Sequence, residues 1–350
     1  MKAVVVESLG APAQVRSDID VPEPSDTQIL VKCIYTAMNP VDAFMVNTGR
    51  LVDSWPLVPG GDAAGIVMKT GKDAYSALGP KFKEGDEVFG CVRLGVKGHG
   101  AWQEHFLFDA PVTIPKPKNI NFAQAATTGA GILTAFEGAF DVLKLPLLDP
   151  DNLPEAKDEW ALVFGGAGTV GKFAVQTLKL SGFRVVTTCS AKSFELLSQI
   201  GADATIDYSK PEAEVISEIK AITNGNLNLA FDAVSVNNNI VAMLFPSLPT
   251  TSSTRLYATT NDWDPLPDAS LGFKSMGIEL GPIGRPDAKA LNERIHKYIP
   301  VVYKLLESGK LKVGEYIEEG SGVEGILKAW EMFNSGKAGS KKVVVKIADV

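Results

Sequence analysis

Cysteine and histidine are scarce. The 350 residues hold three of each, at Cys33, Cys91, Cys189, His99, His105 and His296. None are spaced as C-x-x-C or H-x-x-x-H, which excludes a tetrahedral zinc site built from soft ligands. The same count excludes a disulfide scaffold and fits a reducing compartment. Basic charge is not in excess either: 34 Lys and Arg stand against 41 Asp and Glu, a net charge of −7. A basic nucleic-acid footprint is therefore absent. Long apolar runs are missing too. The best candidate, residues 227–245, carries Asp232 and the triplet Asn237-Asn238-Asn239, so no membrane span is expected. The apolar residues between Lys2 and Glu7 are too few for a signal-peptide core. A soluble, cytoplasmic protein with no nucleic-acid or membrane partner is expected.

What is present is an ordinary globular composition, 45% hydrophobic and 21% charged. At roughly 150 residues per domain the length suggests two domains. Up to about residue 110 the chain reads as short strands between breakers. Ala3–Val6 is a short apolar run, and residues 29–38 alternate, with Ile29, Val31, Cys33 and Tyr35 in one phase. Gly65–Val67 and Glu87–Phe89 are further short strands, and Pro22, Pro24, Pro40, Pro56, Pro59 and Gly90 punctuate them. That pattern points to a β-barrel or sandwich. Residues 122–140 read as helical. Residues 141–159, with Pro146, Pro150, Pro154 and six carboxylates, read as a surface excursion. From Trp160 strands and helices alternate, the mark of a doubly wound parallel sheet. A long helix is expected near residues 288–308. A last strand, Lys342–Ile347, has the character of the first domain again.

The strongest chemical signal is Gly165-Gly-Ala-Gly-Thr-Val-Gly171. Gly166, Gly168 and Gly171 form G-x-G-x-x-G directly after an apolar strand and at the start of a helix. The glycines permit a tight turn, close approach of a pyrophosphate and helix-on-strand packing, while the helix N-terminus faces the phosphates. In that setting the motif is specific, and Gly165, Gly166, Gly168, Thr169, Val170 and Gly171 are the expected cofactor contacts. An NAD site wants an acid at the end of the second strand. This strand ends Thr188-Cys189-Ser190-Ala191-Lys192, with no acid before Glu195. Ser190 and Lys192 could serve a 2′-phosphate and Tyr208 could cover the adenosine, so NADPH is the expected cofactor.

Several segments together resemble the medium-chain dehydrogenase/reductase superfamily. They are Asn39-Pro-Val-Asp42, Pro59-Gly-Gly-Asp-Ala-Ala-Gly65, Gly85-Asp-Glu-Val-Phe-Gly90, Gly100-Ala-Trp-Gln-Glu104, the glycine loop and Gly339-Ser-Lys-Lys-Val-Val-Val345, in the family's order along nearly the whole chain. The resemblance implies an α/β chain in which a GroES-like β domain (residues 1–125 and 280–350) is interrupted by a Rossmann domain (residues 126–279). Zinc-dependent members carry Cys at the position of Asn39 and His-Glu at Gly61-Asp62, so the chain resembles the zinc-free quinone and enoyl reductase branch, with no metal. Thr188-Cys189-Ser190, Gly201-Ala202 and Asp207-Tyr208 are similar to fungal trans-acting enoyl reductases of polyketide pathways.

This resemblance implies hydride transfer from NADPH to the β-carbon of an α,β-unsaturated thioester or ketone, with donors needed at the carbonyl oxygen and a proton at the α-carbon. By the same resemblance Asn39 and Thr134 are the catalytic candidates, beside the nicotinamide. Asn39 also reads as a turn residue before Pro40, Thr134 as a helix threonine bonded to its own backbone, and Asp42 as a helix cap. Asp42, Phe44, Trp55 and Gly131 are the expected pocket residues. Phe44 stands where a proton-donating lysine is common, and His99 on a glycine-flanked loop is a substitute donor. An acyl carrier protein of a polyketide synthase is the candidate partner, with Lys81, Lys83, Lys97, Lys116 and Lys118 as docking residues and the enzyme as monomer or homodimer. Two alternatives stay open: a broad quinone or alkenal oxidoreductase, and a cofactor-binding protein without catalysis.

Overall fold

The computed structural model describes residues 1–250, 253–261 and 263–350. The chain forms two compact units, Met1–Ala130 with Leu280–Val350, and Gly131–Glu279.

The first unit begins with the hairpin β1 (Ala3–Val6) and β2 (Ala13–Arg16). β3 (Gln28–Ala37) is its central strand. Eight of its ten residues are buried, so its apolar alternation is overwritten by burial on both faces. Pro40 opens helix α1 (Pro40–Thr48), and Gly49 closes it in the left-handed conformation at φ 72°. β4 (Asp62–Thr70), β5 (Glu87–Cys91), β6 (His105–Asp109) and the short β7 (Ile114–Pro115) follow, and then helix α2 (Phe122–Ala126). β3 pairs antiparallel with both β4 and β6.

Helix α3 (Gly129–Phe136) carries the chain into the second unit and widens into a π-helical turn, Glu137–Val142, with Leu143 N–H bonding Gly138 C=O at 2.8 Å. Residues 143–159 have no regular structure, as their proline content suggests, although Leu148 is buried. The strands of this unit are β8 (Trp160–Phe164), β9 (Arg184–Cys189), β10 (Ala204–Asp207), β11 (Leu227–Asp232), β12 (Arg255–Thr259) and β13 (Phe273–Gly277). They form one parallel sheet in the order β10-β9-β8-β11-β12-β13. Helices α4 (Thr169–Leu180), α5 (Phe194–Gln199), α6 (Glu212–Thr223) and α7 (Asn238–Leu244) are the crossovers. Central strands of such a sheet are covered on both faces, which is why β8 reads as an unbroken apolar run. Leu162, Phe164, Ala230, Leu244, Phe245 and Tyr257 anchor one core, each large apolar side chain contributing about 1.5–3 kcal/mol.

The chain then returns. α8 (Lys289–Glu307), β14 (Tyr316–Ser321), α9 (Gly322–Asn334) and β15 (Lys342–Lys346) belong to the first unit. β15 pairs parallel with β14 and antiparallel with β3, with Val344 opposite Ala37. Trp102, fully buried, meets Trp330 of α9 edge to face at 5.1 Å.

Candidate active site

The second unit contributes the phosphate loop. β8 delivers the chain to Gly165, whose φ of 73° favours glycine. A Cβ on Gly166 would overlap the Thr187 side chain, and one on Gly171 would overlap Gly165 C=O. Both glycines are thus required by packing within the unit. β9 braces the loop from the side: Thr188 Oγ1 accepts Gly165 N–H at 3.1 Å and Thr188 C=O accepts Gly166 N–H at 3.0 Å. Gly168 differs. It is exposed, its φ is −70°, and a Cβ there would meet nothing closer than Gly165 C=O at 3.5 Å. It is also the N-cap of α4, and no side chain caps that helix. The fold itself makes no demand for glycine at 168. Open space at Gly168, beside helix amides that no side chain caps, fits a pyrophosphate.

The remaining cofactor candidates lie at the adjacent strand ends. Ser190, half-buried, follows β9, and Lys192 is exposed on the next turn. Tyr208 is 63% exposed, and its N–H bonds Cys189 C=O at 3.2 Å. The sheet register places Asp207 opposite Cys189. Asp207 Oδ1 accepts the Ser209 amide at 2.9 Å, a bond that holds its carboxyl below the ordinary range. Thr169 and Val170 open α4, half-buried. A Cβ on Gly131 would lie 2.6 Å from Thr169 Cγ2, so that glycine lets α3 approach α4. Thr134 is half-buried on α3.

The first unit holds a buried polar cluster. Asn39 ends the segment after β3 and is the N-cap of α1. Its Nδ2 donates to Asp62 Oδ2 at 3.0 Å, and its Oδ1 accepts the Lys342 ammonium. Lys342 Nζ lies 3.4 Å from Asp62 Oδ2. Asp62 Oδ1 accepts the Ala130 amide at 2.6 Å. Asp42 Oδ2 accepts Asn39 N–H at 2.8 Å, while its Oδ1, also buried, makes no hydrogen bond. Asp42 and Asp62 are fully buried; Asn39 and Lys342 are nearly so. The β3–β15 register explains the meeting: with Val344 opposite Ala37, continuing two residues along each strand brings Lys342 opposite Asn39. Burial drives the Asp42 carboxyl up to about 7, against the opposing pull of the Asn39 amide and the Lys342 charge.

Phe44 is half-buried on α1 with the Arg50 guanidinium 5.1 Å above its ring, and Trp55 is half-buried in the following loop. His99 departs from the sequence reading. It is 2% exposed rather than flexible, with Nε2 3.2 Å from Gln28 Nε2. Burial lowers its pKa to about 4, so at neutral pH it is not a cationic donor. Lys116 likewise leaves the expected docking set: its ammonium bonds Glu87 at 2.8 Å and its side chain is 5% exposed. Lys342 stands inside the Gly339–Val345 segment, but nothing local distinguishes it from Lys341 as a site residue. The cysteines are buried, and burial raises all three thiols, so none is an activated nucleophile.

Two family profiles match the chain, one described as the alcohol dehydrogenase GroES-like domain over residues 25–118, the other as zinc-binding dehydrogenase over residues 169–245. The trans-enoyl reductase TOXD of Cochliobolus carbonum is 36% identical over 244 residues, 67% of this chain and 76% of the relative. The chain belongs to the medium-chain dehydrogenase/reductase family. The trans-enoyl reductase traG of Penicillium crustosum is 35% identical over 240 residues, and the matched stretch spans 63% of that relative, less than two-thirds of its length. Among solved structures, an alcohol dehydrogenase superfamily protein from Novosphingobium aromaticivorans aligns with a TM-score of 0.81 at 22% identity, covering 99% of this chain and 100% of the other. The Escherichia coli quinone oxidoreductase, solved with NADPH, aligns with a TM-score of 0.75 at 19% identity over 99% of both chains. These likenesses establish the fold, a GroES-like domain with a Rossmann-type parallel sheet.

The zinc named in the second profile does not fit this chain. At the positions in question stand an amide, a glycine and a carboxylate, and the amide oxygen is already bonded to the Lys342 ammonium. Among the described residues no group of three or more His, Cys, Asp or Glu could hold a metal ion. No helix among them is long and apolar enough to cross a membrane.

Proposed function

We propose that this protein is an NADPH-dependent, zinc-independent enoyl reductase. It reduces the C=C bond of an α,β-unsaturated thioester or ketone and acts in trans on acyl chains presented by a polyketide synthase carrier protein in the cytoplasm. The observation that carries the reading is the donor set at Asn39, Gly61 and Asp62, where an internal ammonium replaces any place for a Lewis acid. Relatives named trans-enoyl reductases support the choice of C=C over C=O chemistry.

Bound NADPH would supply hydride to the β-carbon, with the electron pair of the double bond moving to the carbonyl oxygen and a proton then taken up at the α-carbon. Gly168 and the first amides of α4 would hold the pyrophosphate, with Gly165, Gly166 and Gly171 shaping the turn and Thr169 and Val170 flanking it. Ser190 and Lys192 would bond the 2′-phosphate under Tyr208. We assign Thr134 to the nicotinamide carboxamide. Asn39 acts by holding the segment that carries Asp42 and Phe44, because both ends of its amide are engaged inside the unit. Phe44 cannot donate, so the α-proton comes from a source other than the side chain at that position. Lys81, Lys83, Lys97 and Lys118 are exposed and would face an acidic carrier.

The test is NADPH oxidation with crotonyl thioesters, enones and small quinones, in wild type and Lys192→Ala. Thioester or enone turnover is expected. Loss of one charge-assisted phosphate contact should raise the KM for NADPH by about 10- to 100-fold and leave that for NADH unchanged. A strong preference for quinones would overturn the substrate reading in favour of a broad quinone reductase. Cofactor binding without any turnover would leave a binding protein.

A further inference from the structure

The carboxyl end of β11 carries a polar knot that the phosphate loop does not account for. Asp232, the last residue of β11, is fully buried, yet its two oxygens face six donors. Oδ1 accepts the amides of Val234 at 3.0 Å and Ser235 at 3.1 Å, and Asn237 Nδ2 at 2.9 Å. Oδ2 accepts the Asn237 amide at 2.9 Å and the Tyr257 hydroxyl at 3.1 Å, with Thr259 Oγ1 at 3.5 Å. Burying a carboxylate is unfavourable unless it is fully bonded, and this one is bonded mainly to the turn that follows it.

That turn is strained and tied down. Ser235 has φ 65°, a left-handed conformation that side chains other than glycine rarely adopt. Its Oγ lies 2.7 Å from Thr260 Oγ1, and its C=O accepts Asn261 Nδ2 at 2.9 Å, which staples the turn to the segment after β12. On its other side the turn abuts the phosphate loop: a Cβ on Gly165 would overlap the Val234 side chain. The Asp232 carboxylate and Asn237 are buried, whereas Val234 and Val236 remain 43% and 76% exposed. The result is a rigid apolar ledge beside the phosphate loop.

In a parallel sheet a dinucleotide lies across the carboxyl ends of the strands, with its pyrophosphate at the glycine loop. The adenosine candidates Ser190, Lys192 and Tyr208 follow β9 and β10, on one side of β8. β11 and β12 lie on the other side, so the second half of a bound dinucleotide would lie towards the ledge. We propose that Asp232 is a positioning residue for the nicotinamide half of the cofactor: it fixes the 233–237 turn in the one conformation on which the ring rests. The proposal relies on the cofactor assignment above and not on the substrate.

The experiment is calorimetric titration of the full-length protein with NADPH and with 2′,5′-ADP, the adenosine half alone, comparing wild type, Asp232→Asn and Thr260→Val. Asn presents a donor where the carboxylate accepts, so Asp232→Asn should weaken NADPH by about 10-fold or more, while 2′,5′-ADP stays within about twofold. Thr260→Val leaves the Asp232 carboxylate in place and removes the hydroxyl that meets Ser235 Oγ and Asp232 C=O, and should weaken NADPH by about threefold with the same split. Equal weakening of both ligands, or of neither, overturns the proposal. If Asp232→Asn fails to fold, the Thr260→Val split decides alone. If wild type prefers NADH, the 2′-phosphate assignment fails, and the split is read with NADH against ADP. If the split is seen but no enone is reduced, the substrate reading fails and the role of Asp232 stands.

Discussion

At the scale of single residues, the cluster around Asn39 is governed by desolvation. Asp42 faces the Asp62 carboxylate, the Lys342 ammonium and the Cys91 thiol, and takes its one good hydrogen bond from the Asn39 amide. Burial outweighs these and raises the folded pKa to about 7. A raised acid binds its proton more tightly folded than unfolded, so the stabilisation is complete below about pH 4 and disappears progressively up to about pH 7. Asp42→Asn keeps an acceptor for the Asn39 amide and removes the titration. Buried His99, whose folded pKa is lowered to about 4, acts in the opposite sense and adds stability as pH rises over the same range in both proteins. In urea unfolding from pH 4 to pH 8, the stability of wild type relative to Asp42→Asn should therefore fall across that window, by several kcal/mol at most. Parallel profiles for the two proteins would contradict the raised pKa. Asn39 and Asp42 could be picked from sequence because a capping pattern is local. Their meeting with Lys342, 303 residues away, depends on a strand register that no local pattern encodes.

At the scale of elements, the glycine loop was legible because its demands are met within one turn. A strand, a helix and three glycines at fixed spacing state the geometry directly. The structure divides those glycines by purpose, which spacing alone does not. Gly171 is enclosed by Gly165, whereas Gly168 opens outward. Gly168→Val should therefore change unfolding free energy by less than about 1 kcal/mol yet abolish NADPH binding. Gly171→Ala should lose the folded state or its cooperativity, because the methyl has no room. Circular dichroism melts paired with nucleotide titration separate the two. Equal destabilisation by both would mean that Gly168 is a packing glycine after all. Elements at sheet edges were harder to read. β13 and β14 are edge strands whose sequences, Phe273–Gly277 and Tyr316–Ser321, mix polar and apolar residues because they are only partly covered. α9 starts with two glycines in four residues, which masks its apolar face.

At the scale of the whole molecule, the two units differ in how the chain builds them. All six strands of the parallel sheet, their pairing partners and the core around Leu162 and Phe164 lie within Gly131–Glu279. The first unit is assembled from both ends of the chain. Without residues 280–350, β3 loses β15 along Tyr35–Ala37, and Asp62 loses its buried ammonium. Asp53 also loses Arg285, and Asn119 loses its bond to Leu306 C=O. An uncompensated buried carboxylate alone costs about 3–5 kcal/mol, a large part of the 5–15 kcal/mol that stabilises an ordinary domain. The fragment 129–279 is therefore expected to fold alone, to unfold cooperatively and to bind 2′,5′-ADP with nearly full affinity. The fragment 1–130 should be unfolded or aggregated, and adding 280–350 as a separate chain should restore protected amides in β3 on hydrogen exchange. Cooperative unfolding of 1–130 by itself would show that the first segment carries its own core, and that the returning strand contributes Lys342 to the site without being needed for the fold.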